Sequence, residues 1–283
     1  MKALVTGAGG MLARALVPEL RSRGWEVVAL DRAALDVADE AAVHRRIRDE
    51  ESDVVVQCAA YTAVDAAEAD EAAASRINAG ATRYVGEACQ RIGARLVYPS
   101  TDYVFQGSAS RPYQPYDPPN PLNAYGRSKL DGERATLEVQ GGLVVRTSWL
   151  YGSGGSNFVD NIQRLARERD HLDVVSDQIG RPTWTASLAR AVCALLERRS
   201  KGILHVTDGG EPVSWYDFAR AILAETAVET AVRAVPSSAF PRPATRPRYS
   251  VLDCASTEAV LGHPLPAWRE MLTQYLHGDG SDV

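Results

Sequence analysis

Short apolar runs alternate with amphipathic stretches along the first 150 residues of the chain. The runs are rich in valine and leucine and lie at 3–6, 25–30, 53–60, 95–98 and 143–149. Between the first two, Leu12, Leu16 and Leu20 recur at helical spacing before Gly24, which predicts an amphipathic helix. Because strands buried on both faces form continuous apolar runs, the alternation predicts a doubly wound α/β fold with a parallel sheet.

The alternation of strand and helix becomes less regular after about residue 150. Shorter predicted elements follow, with helices at 158–169, 186–198 and 215–225 and strands at 172–175 and 203–206. We expect residues 1–150 to form the sheet domain and residues 151–283 a smaller α/β lobe, with some segments returning to the core. A cleft between the two is the natural place for a substrate.

Composition and charge exclude several classes of ligand. The 283 residues carry a net charge of −5, so we expect neither nucleic acid nor a membrane as a partner. Met1 leads directly into the first strand and no apolar run is long enough to span a bilayer, so we expect a cytoplasmic protein. The 4 cysteines and 5 histidines show no ligand spacing, which predicts reduced thiols and no metal site.

A glycine-rich turn connects the first strand to the first helix. Its spacing is Gly7-x-x-Gly10-x-x-Ala13, a short form of the dinucleotide fingerprint, in which glycines let the backbone approach a pyrophosphate at a helix N-terminus. Tight strand-to-helix packing is the alternative reading. The second strand ends in Asp31-Arg32; the carboxylate would meet an adenosine ribose and the guanidinium a 2′-phosphate, so the pair leaves NADH and NADPH both open.

The ends of two later strands are candidate parts of the same site. Cys58, Ala59 and Ala60 are small and leave room for a cofactor, whereas the acidic run 65–71 is interpreted as a solvated helix face. Thr101 follows a strand, where open α/β sheets bind ligands; it is a candidate to hydrogen-bond a substrate oxygen or simply to cap the strand.

The strongest chemical signal is a tyrosine and a lysine four residues apart. Tyr125 and Lys129 share one face of a predicted helix, and a nearby cation is expected to lower the tyrosine pKa and make the phenol a useful acid. Further along, Arg242, Arg246 and Arg248 lie on a proline-rich loop. They would either clamp a diphosphate or form a solvated basic loop.

Longer motifs surround these residues. They are Ala60-Tyr-Thr-Ala-Val-Asp65, Ser100-Thr-Asp-Tyr-Val-Phe105, Pro121-Leu-Asn-Ala-Tyr-Gly-Arg-Ser-Lys129, Arg146-Thr-Ser-Trp149 and Asp177-Gln-x-Gly-x-Pro-Thr183. With the glycine turn, they resemble the dTDP-4-dehydrorhamnose reductase family of extended short-chain dehydrogenase/reductases. The likeness extends over nearly the whole chain, to residue 253.

The resemblance implies a Rossmann-type dinucleotide-binding domain, a substrate-binding lobe and reduction of the C4 ketone of a dTDP-4-keto-6-deoxyhexose. NADPH is the expected cofactor and NADH the alternative. The implied catalytic residues are Thr101, Tyr125 and Lys129. The implied cofactor-binding residues are Gly7, Gly10, Met11, Leu12, Asp31, Arg32, Asp36, Val37, Ala59, Ala60, Tyr61, Thr62, Tyr125 and Lys129. The implied substrate-binding residues are Val64, Thr101, Asp102, Tyr103, Tyr125, Trp149 and Arg248.

Three departures from the family pattern leave the substrate open. Gln106 stands where an aspartate is common, Gln57-Cys58 replaces Asn-Ala, and Ala13 replaces the last glycine. The expected reaction is dTDP-4-dehydrorhamnose to dTDP-L-rhamnose; the alternatives are a related ketosugar of a secondary metabolite such as dTDP-dihydrostreptose, a dehydratase or epimerase reaction, and a non-catalytic regulatory subunit. Some relatives bind magnesium at a dimer contact through acidic side chains. Ala15 stands where such a carboxylate would be, so the metal is not carried over to this chain, and a homodimer is one possible assembly.

Overall fold

The computed structural model describes residues 1–278 and has a parallel sheet at its centre. The strands are β1 Lys2–Thr6, β2 Glu26–Leu30, β3 Val54–Gln57, β4 Arg95–Thr101, β5 Leu143–Thr147, β6 Leu150–Tyr151, β7 His171–Val175, β8 Ile179–Gly180, β9 Thr183–Trp184, β10 Gly202–His205, β11 Val213–Ser214 and β12 Ala231–Val235. Six of them form the central sheet in the order β10-β5-β4-β3-β1-β2, and every neighbouring pair is parallel.

Helices cover both faces of this sheet. They are α1 Met11–Ser22, α2 Glu40–Glu50, α3 Val64–Ala69, α4 Glu71–Ser75, α5 Ala81–Ile92, α6 Ala124–Leu137, α7 Phe158–Glu168, α8 Thr185–Glu197, α9 Trp215–Glu225, α10 Ala255–Leu261 and α11 Trp268–His277. Helices α1 and α8 bury apolar residues on one face, and α2 and α5 on the other. The doubly wound fold expected from the sequence is confirmed. Within residues 1–278, no helix is long and apolar enough to cross a membrane.

A separate apolar cluster marks the smaller lobe. It is built from α7, α9 and α11 around the parallel pair β7 and β12. Later segments also return to the sheet: β10 pairs with β5, and residues of α8 and α10 lie in the apolar cluster of α1. A division at residue 150 stays a prediction, and its last five positions, 279–283, lie outside the described residues.

Helix α6 approaches the sheet more closely than an ordinary helix could. A Cβ atom on Gly132 would lie 2.3 Å from both the backbone oxygen of Asn78 and the phenol oxygen of Tyr98. On Gly126 it would lie 2.3 Å from the backbone oxygen of Tyr103. Glycine normally weakens a helix interior. At these two positions that cost is accepted because only glycine lets α6 contact β4 and the turn that follows it.

We predict that Gly132→Ala destabilises the protein, because the added methyl group has no room. The free energy of unfolding in urea should fall by about 1–3 kcal/mol, the usual cost of overpacking a core. Gly80→Ala is the matched control, since a Cβ there meets nothing closer than 3.8 Å and alanine favours helix. Equal stability of the two variants would contradict the close approach.

Candidate active site

The glycine-rich turn is shaped by one left-handed residue. Gly7 has φ +62°, and a Cβ atom there would lie 2.6 Å from the backbone nitrogen of Ala59. The amide of Gly10 donates to the Gly7 carbonyl at 2.9 Å, and α1 begins at the next residue. A Cβ on Gly9 would meet nothing within 4 Å. The turn therefore packs tightly on the end of β3 and is open on its other side, at a helix N-terminus suited to an anion.

A cleft of about 600 Å³ opens beside this turn. Nine of the predicted cofactor-binding residues line it: Gly7, Gly10, Asp31, Arg32, Asp36, Val37, Ala59, Ala60 and Tyr61. Its size and its position at the carboxyl ends of β1, β2 and β3 fit a dinucleotide. Thr62 is not among the lining residues.

Two predicted cofactor residues point their side chains elsewhere. Met11 lines a second cleft, of about 460 Å³, between α1 and α8, and Leu12 is buried in the apolar core. Either residue can therefore offer a dinucleotide only its backbone amide. The helix start, rather than these two side chains, is the part of the fingerprint that faces a phosphate.

The end of β2 carries the groups that would distinguish the two nicotinamide cofactors. The Asp31 carboxylate accepts a hydrogen bond from the backbone of Ala34 at 2.9 Å, so it also shapes the turn. Arg32 is exposed and lines the cleft, as does Arg76. Arg76 escaped sequence analysis because it lies in a helical stretch without a recognisable motif. Two guanidinium groups therefore line the cleft, and such groups suit a phosphate.

Helix α6 starts beside the end of β4 and brings the three predicted catalytic residues together. Asn123 caps the helix, its side-chain oxygen accepting from the amide of Gly126 at 2.8 Å. Tyr125 and Lys129 follow on one face, one turn apart. Thr101, 7% exposed at the end of β4, donates to the Asp102 carboxylate at 3.0 Å and lies beside the Tyr125 phenol, whose pKa it lowers.

Burial controls the protonation of the tyrosine and the lysine. It raises the Tyr125 pKa well above the usual range, with Asp102 adding to the rise. It lowers the Lys129 pKa to about 7, while the Lys129 ammonium donates to the backbone oxygen of Pro99 at 2.7 Å and lies over the Tyr98 ring. The expected lowering of the Tyr125 pKa by Lys129 is therefore wrong here, because loss of water dominates and the group that lowers this pKa is Thr101, not Lys129. The phenol holds its proton at neutral pH.

Asp102 is a buried carboxyl at the same place. It is 2% exposed, and burial raises its pKa to about 7. One oxygen accepts from Thr101. The other makes no hydrogen bond of good geometry within residues 1–278, although the nearby Ser250 hydroxyl lowers the pKa of the carboxyl. An uncompensated buried oxygen is costly unless a ligand or a proton meets it, which is consistent with the predicted contact to substrate.

The remaining predicted substrate residues occupy different surroundings. Tyr103 meets Tyr125 edge to face, with ring centroids 6.0 Å apart, and Val64 begins α3. Trp149 has φ +49°, an uncommon backbone for an aromatic residue, and stacks on Trp215 in the smaller lobe at 3.5 Å. Arg248 is exposed, and no hydrogen bond of its side chain is found within the described residues.

One functional residue that the sequence did not reveal is Asn78. It is fully buried in a π-helical turn, 76–80, before α5. Its side chain makes paired bonds with the backbone of Tyr61, at 2.8 and 2.9 Å, and donates to Ser128 on α6. It thereby ties the loop after β3 to the helix that carries Tyr125. The sequence feature that could have identified it is an asparagine inside a helical stretch, because the side-chain amide of a buried asparagine needs hydrogen-bond partners.

The acidic run 65–71 is the largely solvent-exposed helical stretch that we expected, with Asp65 half-buried, but it also has a structural role. It forms α3 and α4, and each of its carboxylates has a partner. Asp65 pairs with Arg246, Glu68 accepts from the amide of Ala124, Asp70 caps α4, and Glu71 pairs with Arg127. Two of these partners, Ala124 and Arg127, lie in the first turn of α6. The segment therefore holds the N-terminal end of the catalytic helix, a role hidden because the partners are distant in sequence.

A group of side chains with metal-ligand chemistry lies away from this site. Ligand atoms of Glu40, His44 and Glu87 lie within 4.8 Å of one another. Arg91, which can only donate, lies 3.0 Å from Nδ1 of His44. Nδ1 must then accept, so Nε2 carries the proton of a neutral ring and has no lone pair for a metal. The group is better described as a hydrogen-bonded ion cluster.

Comparison with known proteins agrees with this geometry. The family described as "RmlD substrate binding domain" matches residues 1–279. A dTDP-4-dehydrorhamnose reductase of Streptomyces griseus is 46% identical over 279 residues, covering 96% of this chain and 91% of the relative.

The chain belongs to the dTDP-4-dehydrorhamnose reductase family.

Two further relatives bear on cofactor and substrate. A dTDP-4-keto-6-deoxy-D-glucose reductase of Streptomyces niveus is 42% identical, covering 96% of this chain and 95% of the relative. The crystal structure of a Bacillus anthracis dTDP-4-dehydrorhamnose reductase in complex with NADP has a TM-score of 0.92 and 37% identity, covering 97% of this chain and 98% of that one.

The three departures from the family pattern are accommodated locally. Gln57 is buried and accepts from the Thr6 hydroxyl at 2.8 Å, which keeps the ends of β1 and β3 together. Ala13 is fully buried under the sheet. Gln106 accepts from Asn120 near the surface at 3.1 Å. None of these three side chains bonds to Thr101, Tyr125 or Lys129 within the described residues. Cys58, the fourth changed residue, lies near Lys129 and raises its pKa.

We predict that Lys129→Met stabilises the protein in the absence of added cofactor. The folded-state pKa of Lys129, about 7, lies below the unfolded value of 10.5, so the unfolded chain binds the extra proton. The lysine therefore costs stability most fully below pH 7, and the cost disappears as pH rises toward 10.5. Urea unfolding at pH 6, 8 and 10 should show a stability gain that shrinks with pH. A gain that grows with pH would contradict the assignment.

Proposed function

We propose that this protein reduces the C4 ketone of a dTDP-4-keto-6-deoxyhexose with NADPH, converting dTDP-4-dehydrorhamnose to dTDP-L-rhamnose. The observation that carries the proposal is the meeting of Thr101 and Tyr125 at the carboxyl edge of the sheet, next to the dinucleotide cleft. The names of the relatives support the substrate class, and the NADP complex of the Bacillus anthracis relative supports the cofactor. Cytoplasmic location and a homodimer are part of the same proposal.

The residues of the cleft would hold the cofactor. The amides at the start of α1 would face its pyrophosphate, and Asp31 and Arg32 its adenosine end. Lys129, which is not among the lining residues, would bind its nicotinamide ribose. When bound, the reduced nicotinamide supplies a hydride to the substrate carbonyl carbon. Ala59 and Ala60, at the end of β3, leave the space that such a ring needs.

Tyr125 is the proton donor in this mechanism. Because burial keeps its phenol protonated, it donates a proton as negative charge develops on the carbonyl oxygen, and Thr101 hydrogen-bonds the same oxygen. Lys129 is partly charged near neutral pH and favours the phenolate that remains. Stabilising charge only as it develops lowers the barrier without tightening substrate binding.

A second substrate has support of its own. The Streptomyces niveus relative is named for reduction of dTDP-4-keto-6-deoxy-D-glucose and matches nearly the full length of the chain. The two substrates differ in stereochemistry around the same ketone, so one catalytic set serves both. The choice depends on how Trp149 and the smaller lobe orient the ring.

The deciding experiment is oxidation of NADPH and NADH with each dTDP-4-ketosugar, followed by the C4 stereochemistry of the product. Tyr125→Phe removes the acid and should lower kcat by about 10²–10⁴-fold, the usual contribution of a positioned acid. The substituted protein should melt like the unaltered one and still bind cofactor.

Other outcomes would reject the proposal in different ways. Unchanged turnover in Tyr125→Phe would remove Tyr125 from the mechanism. Conversion of a nucleotide sugar without net cofactor consumption would point to a dehydratase or epimerase. Cofactor binding with no reduction of any ketosugar would favour a non-catalytic subunit.

We predict that Arg32→Ala raises the KM for NADPH by about tenfold or more, the effect of losing one charge-assisted hydrogen bond to a phosphate. The KM for NADH should stay within about twofold, since that cofactor has no 2′-phosphate. Asp31→Ala is the contrasting variant and should weaken NADH. Equal losses for both cofactors in Arg32→Ala would show that the residue acts on folding or on the shared part of the cofactor.

A further inference from the structure

Asp65 and Arg246 form an ion pair between the acidic run and the proline-rich loop. Both carboxylate oxygens are engaged, at 3.0 and 2.9 Å from the two terminal nitrogens of Arg246. The amide of Ala244 also donates to Asp65, and the Arg246 guanidinium returns a bond to the Ala244 carbonyl at 2.9 Å. The pair lowers the Asp65 pKa, so the carboxylate is ionised. Paired, planar contacts of this kind fix geometry as well as charge.

The pair is attached on both sides to elements of the catalytic site. Asp65 directly follows Val64 at the start of α3. On the loop side, the buried Asn123 cap of α6 donates to the carbonyl of Thr245 at 2.8 Å. Proline and glycine fix the loop further on, because a Cβ on Gly107 would lie 2.3 Å from Pro247. The segment 244–247 is thus anchored at both ends, with Arg246 between the anchors.

Arg246 reaches the sugar side of the site through Tyr103. Its guanidinium lies beside the Tyr103 phenol and acts on the phenol's pKa, and Tyr103 in turn meets Tyr125 edge to face. Asp65 and Arg246 are joined by hydrogen bonds and Tyr103 and Tyr125 by an aromatic contact, and the Arg246 guanidinium near the Tyr103 phenol connects the two pairs. Arg248, the arginine expected from sequence to bind substrate, is exposed and belongs to neither pair.

We propose that Asp65 is a positioning residue for the nucleotide sugar: it fixes Arg246, which holds Tyr103 in the sugar site. This inference rests on the proposed function. Asp65 does not touch the reacting atoms, and its effect is on binding of the sugar rather than on proton transfer. With Arg242 at 3.8 Å, two guanidinium groups and one carboxylate leave this edge of the site positive, as suits an anionic diphosphate.

The Asp65→Asn substitution distinguishes two possible roles of the carboxylate: fixing the Arg246 side chain, or acting only through its negative charge on the anionic substrate. If Asp65 acts by fixing Arg246, the KM for the nucleotide sugar should rise about tenfold or more, the usual effect of losing a charge-assisted hydrogen bond. If the carboxylate only repelled the anionic substrate, the same change would lower that KM. The kcat and the KM for NADPH should stay within about twofold, since neither the acid nor the dinucleotide cleft is altered.

Asp117→Asn is the matched control. Asp117 makes a similar paired contact with Arg111, at 2.8 Å to each of its two terminal nitrogens, and also accepts from the amide of Gln114, but no hydrogen bond joins this pair to α6 or to Tyr103 within the described residues. Its kinetic constants should equal those of the unaltered protein. Arg246→Gln should reproduce the Asp65→Asn effect, and the double substitution should add little, because the two residues act as one unit.

The experiment includes direct binding of dTDP-L-rhamnose to the NADP-loaded protein. Weaker binding in Asp65→Asn with unchanged melting supports the proposal; unaltered binding and KM overturn it while leaving the proposed function intact. If Asp65→Asn does not fold, Arg246→Lys decides the matter, since lysine keeps the charge but not the paired contact. An unaltered protein that neither binds nor reduces the sugar would overturn both proposals.

Discussion

The buried amide of Asn78 is the constraint on which the site depends. It replaces backbone partners that the loop after β3 would otherwise lack, and it does so from a π-helical turn that places one extra residue at that point. The same residue's carbonyl accepts from the Tyr98 phenol at 3.0 Å. Strand, loop and catalytic helix therefore meet at one fully satisfied polar group, which is what gives a buried network its geometric precision.

The protonation states of Tyr125 and Lys129 are set by exclusion of water more than by the interaction between the two side chains. A lysine one turn from a tyrosine suggests an activated phenolate, yet in the folded protein the tyrosine keeps its proton and the lysine loses part of its charge. For a reductase this is the useful arrangement, because the acid must be protonated before the carbonyl oxygen becomes negative. A charged ligand that binds in the site will shift the pKa values of both Tyr125 and Lys129.

Local patterns predicted the fold, and the shared face of Tyr125 and Lys129, because both depend on short-range geometry. The period of the apolar residues gave the sheet and its helices, and the spacing of Tyr125 and Lys129 gave a shared helical face. Contacts between segments that are far apart in the sequence could not be predicted from local patterns. The partners of Asp65 lie about 180 positions further along, and neither Asn78 nor the left-handed backbone of Trp149 leaves a local signature. The partners of the acidic run were missed for the same reason.

The return of later segments to the sheet has a consequence for how the chain is made. The apolar face under α1 is completed by α8, and the outer edge of β5 is covered by β10. A nascent chain that has emerged only as far as β5 would therefore expose one apolar face and one open strand edge, a combination that invites aggregation. The six-stranded sheet can be completed only after about residue 205 has left the ribosome. The N-terminal part of the chain therefore cannot finish folding until the later segments have been made.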